Sequence, residues 1–258
     1  MKIKLFILIN LFWSIIIFPQ DELEPKHDLS NFFKVGGDVF TSPAHFDSDD
    51  WIILGSTIGL TSAAFLIDEE IKSIALSNQN TFNDAVFEID KYYHIESMAA
   101  GIGGLYIYGL AADNYKVRNL ALRLTEATVY ASLLNLTTKF ILGRGRPQIN
   151  ESATNFELFN TTWEFTSLPS GHSTLSFAYS TVLAKEYNNF FWKFGWYAAA
   201  TMVGFGRIYH NVHWFSDVLL GAVIGYAVGE FVNRHHTNNP VYGKPNEDFN
   251  ISFRILLK

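Results

Sequence analysis

The sequence has 258 residues, 48% of them hydrophobic and 16% aromatic, enough apolar side chain to fill one large core, which excludes a disordered chain. Its formal charge is −6 and its basic residues form no run, so nucleic acid is not an expected partner. It has no cysteine, which rules out disulfides, thiolate metal sites, a cysteine nucleophile and a lipid-modified N-terminal cysteine.

In chain order, residues 1–20, MKIKLFILINLFWSIIIFPQ, set Lys2 and Lys4 ahead of an apolar run from Leu5 to Phe18 that Pro19 closes. This is the pattern of an export signal or, because the small-residue cleavage site is poor, of an uncleaved N-terminal anchor. Residues 21–50 read as a polar lead-in. Beyond them the hydrophobic periodicity is helical, with helices expected at 51–67, 95–112, 119–142, 171–187, 190–206 and 213–233. DSDD before Trp51 and Ser170 before His172 stand where helix N-caps are expected. The intervening 68–94 is amphipathic, fit for one or two short helices and too charged to cross a bilayer. Residues 237–258 form a polar tail ending in FNISFRILLK, a candidate short strand. The reading is therefore all-α: one domain over 51–236, a bundle of about six core helices.

Whether the bundle sits in a membrane is left open by the sequence. The segments 51–67, 98–112 and 218–232 fall short of the ~20 apolar residues a span needs, and mean hydropathy is low for six spans. Their Gly, Ala, Ser and Thr content suits close helix packing. Within 119–142, the charges of Arg123, Glu126 and Lys139 must face the bundle interior, the interface or water.

Three stretches concentrate phosphate-binding and proton-transfer residue types. KFILGRGRP holds Lys139 and Arg146 seven positions apart, PSGH runs from Pro169 to His172, and GRIYHNVHWFSD holds Arg207, His213 and Asp217. Taken singly each has a plain structural reading: cations at a helix C-terminus, a turn before a capped helix, and an i, i+4 hydrogen-bonded pair. As an ordered set, K-x6-R-P, then P-S-G-H, then R-x5-H-x3-D, they resemble the type 2 phosphatidic acid phosphatase superfamily. That superfamily also includes bacterial non-specific acid phosphatases, undecaprenyl-diphosphate phosphatases and vanadium-dependent haloperoxidases. The motifs cover 139–217 and the flanking helices extend the likeness to about 51–233. One position departs: Gly206 stands where the family usually has serine before the third-motif arginine.

The resemblance implies a metal-independent phosphoric ester hydrolase with no cofactor and no metal site, and the residue chemistry agrees with it. Phosphoryl transfer needs positive donors around the equatorial oxygens; Lys139, Arg146 and Arg207 would supply them. Backbone N–H groups of Ser170 and Gly171 at a helix start would add an anion site. His213 would be the nucleophile, Asp217 would hold its other ring N–H, and His172 would be the general acid, then base. Arg144 is a weaker candidate ligand and His210 a rim residue; Trp214 and Phe215 read as packing or an apolar lip, and His27, His45, His94, His235 and His236 as surface. The expected partner is a phosphorylated lipid or small phosphate ester, with a membrane as its setting and the rim at 148–168 and 68–94 choosing among substrates. The expected location is the cell envelope, with the catalytic face outside the cytoplasm or the domain periplasmic after signal cleavage. The non-motif cations Lys116, Arg118, Lys185, Lys193 and Arg234 collect at the opposite helix ends. Two other readings use the same residues: a vanadate-dependent haloperoxidase, and a non-catalytic membrane protein that binds lipid headgroups.

Overall fold

In the computed structural model, residues 25–92, 95–149 and 152–238 are described. The expected signal or anchor at 1–20, the candidate strand near the C-terminus and His94 lie outside the described residues. Within them are nine α-helices: α1 Asp28–Thr41, α2 Ser48–Phe65, α3 Asp68–Ser77, α4 Thr81–Phe87, α5 Ile95–Ala111, α6 Tyr115–Leu142, α7 Gly171–Ala184, α8 Phe190–Tyr209 and α9 Phe215–Asn238. A single antiparallel bridge, Arg144 to Phe156, is the extended pairing among the described residues. The all-α bundle expected from periodicity is what the chain forms, and the six expected helices are α2 and α5 to α9.

Helix ends follow local chemistry. Asp47 caps α2, accepting from the N–H groups of Asp49 and Asp50 while Asp50 accepts from Asp47 in return. Asn114 and Asn189 cap α6 and α8 in the simpler one-sided way. α6 stops at Gly143, whose φ of 53° is a left-handed conformation that a side chain would strain. Ser170 occupies the N-cap position of α7 without a side-chain cap bond.

The core is built from α6, α7 and α9, with Ala121, Leu124, Ala127 and Ala131 of α6 facing Ala178, Val182 and Leu183 of α7 and Val228 and Val232 of α9. Contact is closest between α7 and α9. There the glycines at 221, 225 and 229, one per turn of α9, lie directly on the α7 backbone: a Cβ on Gly221 would sit 2.6 Å from the Ser170 carbonyl oxygen and one on Gly229 2.9 Å from that of Ala178. This small-residue stripe lets the two backbones touch, as the Gly-rich composition suggested. It also brings the starts of α7 and α9 together, and the histidine motifs are carried at those starts.

Two sequence readings are corrected. The stretch taken as a polar lead-in contains α1, which buries Val35 and Val39 against α6. It is tied there by an Arg118–Asp28 ion pair of 3.4 Å and by the Tyr130 hydroxyl, which donates to the Phe32 carbonyl. Its 14 residues have only a narrow apolar stripe, which hid it among acidic and polar neighbours. His236, read as a surface residue, is buried, with Nε2 2.6 Å from Glu126 Oε2. Of the interior, interface or water left open for Arg123, Glu126 and Lys139, the structure gives the interior to Glu126 and Lys139, and Arg123, half-buried, bonds Asn119, Asn233 and Glu186 in an ion-paired polar layer between α6, the end of α7 and α9. Among the described residues α9 is long and apolar enough to cross a membrane, and α2 with α3, bent by 55° at their break, passes the same test as a pair.

Candidate active site

The two antiparallel connections of the bundle deliver all three motifs to one end. α6 runs toward it and stops at Lys139 to Gly143, α7 leaves from it, α8 returns, and α9 leaves again. Lys116, Arg118, Lys185, Lys193 and Arg234 are accordingly at the far end.

At the centre is His213, in the short turn between α8 and α9 and almost wholly buried. Its backbone N–H donates to the Arg207 carbonyl at 3.3 Å, which ties the turn that carries it to the last turn of α8. Its Nδ1 lies 3.4 Å from Asp217 Oδ2, within ion-pair range and longer than a good hydrogen bond. The other ring nitrogen, Nε2, is thus the one turned away from the carboxylate. Burial pushes the imidazole well below its usual pKa, and the charges of Lys139 and Arg146 add to this while Asp217 opposes it. The ring is therefore neutral at physiological pH, the protonation state a nucleophile needs.

The cations around it are held by main chain. Lys139 Nζ donates to the Thr166 carbonyl at 2.6 Å and that of Ser167 at 3.4 Å. Arg146 donates to the carbonyls of Trp163 (3.0 Å) and Val212 (3.1 Å) and to Thr166 Oγ1 (3.2 Å), with its guanidinium 4.7 Å from the centre of the Trp163 ring. Arg207 Nη1 donates to Asp90 Oδ2 at 2.9 Å, and its Nε is buried with no partner among the described residues. The three charges sense one another. Burial, then Arg146, brings Lys139 down to about 7; burial, then Arg207, brings Arg146 down to about 10.

The second motif meets the third through its backbone. The Ser170 N–H donates to the Asp217 carbonyl at 2.9 Å, and Ser173 Oγ to that of Val218 at 2.8 Å. His172, second residue of α7, is half-buried beside this junction. The Ser170 amide, expected to help bind an anion, is therefore spent on α9; its buried Oγ, by contrast, has no partner among the described residues. Gly171 keeps its place at the helix start.

Arg144, the weaker candidate for a phosphate ligand, is turned away from that role. It is wholly buried, with Nη1 2.5 Å from Asp217 Oδ1, Nη2 2.6 Å from Asp68 Oδ2, and Nε on the Ala153 carbonyl. Its guanidinium carbon is 4.1 Å from the centre of the Phe65 ring, a stacked position that keeps it away from solvent. His210, expected at the rim, has Nδ1 2.9 Å from Asp90 Oδ2. Trp214 is buried and its indole N–H donates to the Gly145 carbonyl, the packing role expected of it. Gly206 packs on the segment that carries Asp90: a Cβ there would come within 3.4 Å of the Asp90 Cβ.

Asp68, Asp90, Ser167 and Ser216 were missed by sequence reasoning. Ser167 Oγ donates to Asp217 Oδ2 at 2.5 Å, and Ser216 bonds Asp68 through both its N–H (2.8 Å) and its hydroxyl (2.6 Å). Asp68 and Asp90 sit in an amphipathic stretch far along the chain from their partners, Asp68 being 76 residues before Arg144 and Asp90 117 before Arg207, where no local spacing marks them.

The sequence profile of the PAP2 superfamily matches residues 120–240. A lipid A 1-phosphatase from Porphyromonas gingivalis is 42% identical over 66 residues, which is 25% of this chain and 15% of that relative's length. Among solved structures, Aquifex aeolicus LpxE superposes with a TM-score of 0.50 at 24% identity, covering 65% of this chain and 95% of that one. The transmembrane PAP2-type phosphatidylglycerolphosphate phosphatase of Bacillus subtilis does so with a TM-score of 0.51 at 19% identity, over 82% of this chain and 94% of its own. The matched profile takes in every motif residue from Lys139 to Asp217, and nearly the full length of both solved folds lies on this bundle: over residues 120–240 the chain carries the sequence pattern of the PAP2 superfamily, on a fold it shares with both structures.

Proposed function

We propose that the protein is a metal-independent phosphatase that hydrolyses phosphate monoesters or diphosphates carried on lipids, through a phosphohistidine. The observation that carries the reading is a buried, neutral imidazole backed by a carboxylate at 3.4 Å and facing the charges of Lys139 and Arg146. Nε2 of His213 forms a bond to phosphorus as the ester P–O bond breaks, and the leaving oxygen takes the proton of His172. The ring becomes cationic and Asp217 stabilises it. His172 then removes a proton from water, the water oxygen bonds phosphorus, and the N–P bond breaks to release phosphate. Lys139, Arg146 and Arg207 hold the equatorial oxygens, with the Gly171 amide and the orphaned Ser170 hydroxyl at the helix start.

A lipid substrate is favoured by the named activities of the relatives and by apolar surface on the bundle. Trp51, Ile52, Ile53 and Ile58 of α2 and Phe190, Phe191 and Phe194 of α8 are all exposed, more than a water-facing surface carries at no cost. With α9 and the bent α2–α3 pair able to enter a bilayer, we assign the protein to the cell envelope membrane, its motif end outside the cytoplasm and its far-end cations inside.

The test is phosphate release, with EDTA present, from lipid A phosphate, phosphatidylglycerol phosphate, phosphatidate, a polyprenyl diphosphate and an aryl phosphate. Release from a lipid substrate that His213→Ala abolishes is expected, as is an acid-labile phosphoenzyme when His172→Ala is given an aryl phosphate, whose leaving group needs no proton. Turnover that survives His213→Ala overturns the mechanism.

A further inference from the structure

Behind Asp217 the structure holds charges that the reaction just described does not use. Asp68, Arg144 and Asp217 are each 0% exposed. Arg144 bridges the two carboxylates with its two terminal nitrogens, and Ser216 Oγ closes the ring, accepting from Arg144 Nη1 at 2.7 Å and donating to Asp68 Oδ2 at 2.6 Å. The three charged groups are walled in by Phe65 and Trp214. Two carboxylates against one guanidinium leave this dry cluster with one net negative charge. Low dielectric makes such an imbalance costly unless a cation stands beside it. Lys139 and Arg146 share that charge at rest, and the cation that joins them during turnover is the imidazolium of His213.

We infer that Asp68 is a positioning residue for the reaction, acting through Arg144 and Asp217 on the His213 ring; the inference rests on the phosphatase reading above. Each Asp217 oxygen is fixed separately: Oδ1 by Arg144, and Oδ2 by the Ser167 hydroxyl and the Trp214 N–H. The carboxylate plane is therefore set by bonds on both sides, and Oδ2 is aimed at Nδ1. Asp68 does two things for this arrangement. It holds the second nitrogen of the guanidinium so that the fork cannot rotate, and it shares the Arg144 charge so that Asp217 keeps enough negative charge to stabilise a cationic ring. Without Asp68 the whole guanidinium charge would fall on Asp217. The charged groups facing His213 are Asp217 from α9, Lys139 from the end of α6 and Arg146 from the loop that follows. Arg144, from the same loop, and Asp68, from the start of α3, stand behind Asp217.

Asp68→Asn keeps the shape and removes one negative charge. Outer partners of metal-bound histidines typically cost about 10–100-fold when lost; by analogy kcat should fall by about that range, with KM changed less than threefold. The field at His213 becomes more positive, its cation is harder to form, and the acid limb of the kcat/KM–pH profile should move to lower pH. A role confined to folding would lower the yield of folded protein and leave that limb in place. Pairing Asp68→Asn with Arg144→Met should give a double variant no worse than Arg144→Met alone, because Asp68 acts through Arg144. Where Asp68→Asn does not fold, Ser216→Ala removes only the bridging hydroxyl and is read for the same shift in the same direction.

A second readout needs no turnover. ¹⁵N spectra of histidine-labelled protein, with His213→Gln used to assign the signal, should show Nδ1 protonated in the wild type and a mixture of tautomers in Asp68→Asn. If the wild type releases phosphate and folded Asp68→Asn, or Ser216→Ala in its stead, keeps its kcat, acid limb and tautomer, the inference is overturned. If the wild type releases none, the phosphatase reading fails, and the tautomer experiment still decides whether Asp68 positions His213.

Discussion

Asp90 joins Arg207 and His210 through one carboxylate oxygen, 2.9 Å from each, at a position that is 2% exposed. The carboxylate enters beside Gly206, where a side chain would crowd the segment that carries Asp90. Arg207 is then held by Nη1 while its buried Nε stays free to bond an anion. Two effects of Asp90 on phosphate oppose each other: it repels the anion and it orients the cation. Orientation should win, because Arg207 is charged with or without Asp90, and the carboxylate fixes its Nη1 while opposing the lowering that burial imposes on its pKa.

Asp90→Asn should therefore weaken substrate binding. A hydrogen bond to a charged group contributes about 1.5–3 kcal/mol, so KM is expected to rise about tenfold or more with a smaller effect on kcat. Steady-state kinetics on the best lipid substrate reads both. A lower KM would mean that Asp90 acts chiefly as a repulsive charge.

Lys139 gives a pH dependence with a defined sign. Burial, reinforced by Arg146, brings its pKa from 10.5 to about 7, so the folded chain loses this charge as pH rises through neutrality. Between about 7 and 10.5 the unfolded chain binds the extra proton, and the group adds stability to the fold as pH rises across that window. Anion affinity and stability should thus move in opposite directions. Inhibition by sulfate, whose own charge is constant in this range, should weaken by up to about tenfold per pH unit above 7, while the melting temperature does not fall with it. Lys139→Arg should flatten the sulfate profile. A flat wild-type profile would show that Lys139 stays charged at the site.

The motifs were legible because their chemistry is local. Lys139 to Pro147, Pro169 to His172 and Arg207 to Asp217 are short stretches whose spacing survives in one dimension, and helical periodicity placed them at alternating helix ends. The remainder depends on partners that meet only in three dimensions. Arg144 read as a weaker candidate ligand because it falls inside the variable part of the first motif; its direction was decided by Asp68, 76 residues earlier, and by the aromatic wall of Phe65 and Trp214. Ser170 looked like an amide donor to an anion until the α9 glycines brought the Asp217 carbonyl within 2.9 Å of it.

His236 makes the same point in the opposite half of the bundle and gives a prediction about stability. It lies in a sequence, NRHHTN, that reads as a solvated helix end, yet Nε2 meets Glu126 at 2.6 Å with both residues buried. His236→Ala strands a carboxylate in the core. Breaking a buried pair by removing one partner typically costs about 3–5 kcal/mol, so His236→Ala should be strongly destabilised in chemical denaturation. The paired variant Glu126→Gln with His236→Gln should recover part of the loss. The kcat of the folded fraction should match wild type in both, since the pair is at the far end from the motifs.

The α7–α9 contact links fold to chemistry most directly. A Cβ at Gly225 would overlap the Thr174 carbonyl oxygen and come within 2.8 Å of the Ala178 amide, neither of which can rotate away. Alanine there gains about 1 kcal/mol of helix propensity and meets an overpacking cost of about 1–3 kcal/mol, so the net change should be destabilising. Relief requires α7 to move off α9, which stretches the Ser170–Asp217 backbone bond and carries His172 away from His213. Gly225→Ala is therefore expected to lower kcat more than it raises KM. Gly195→Ala in α8, where a Cβ would meet nothing within 4 Å, should gain about 0.5–1 kcal/mol and leave kcat unchanged. Melting curves and kinetics on the two variants separate helix propensity from helix contact, and equal behaviour of the pair would show that the α7–α9 spacing does not set the geometry of the histidines.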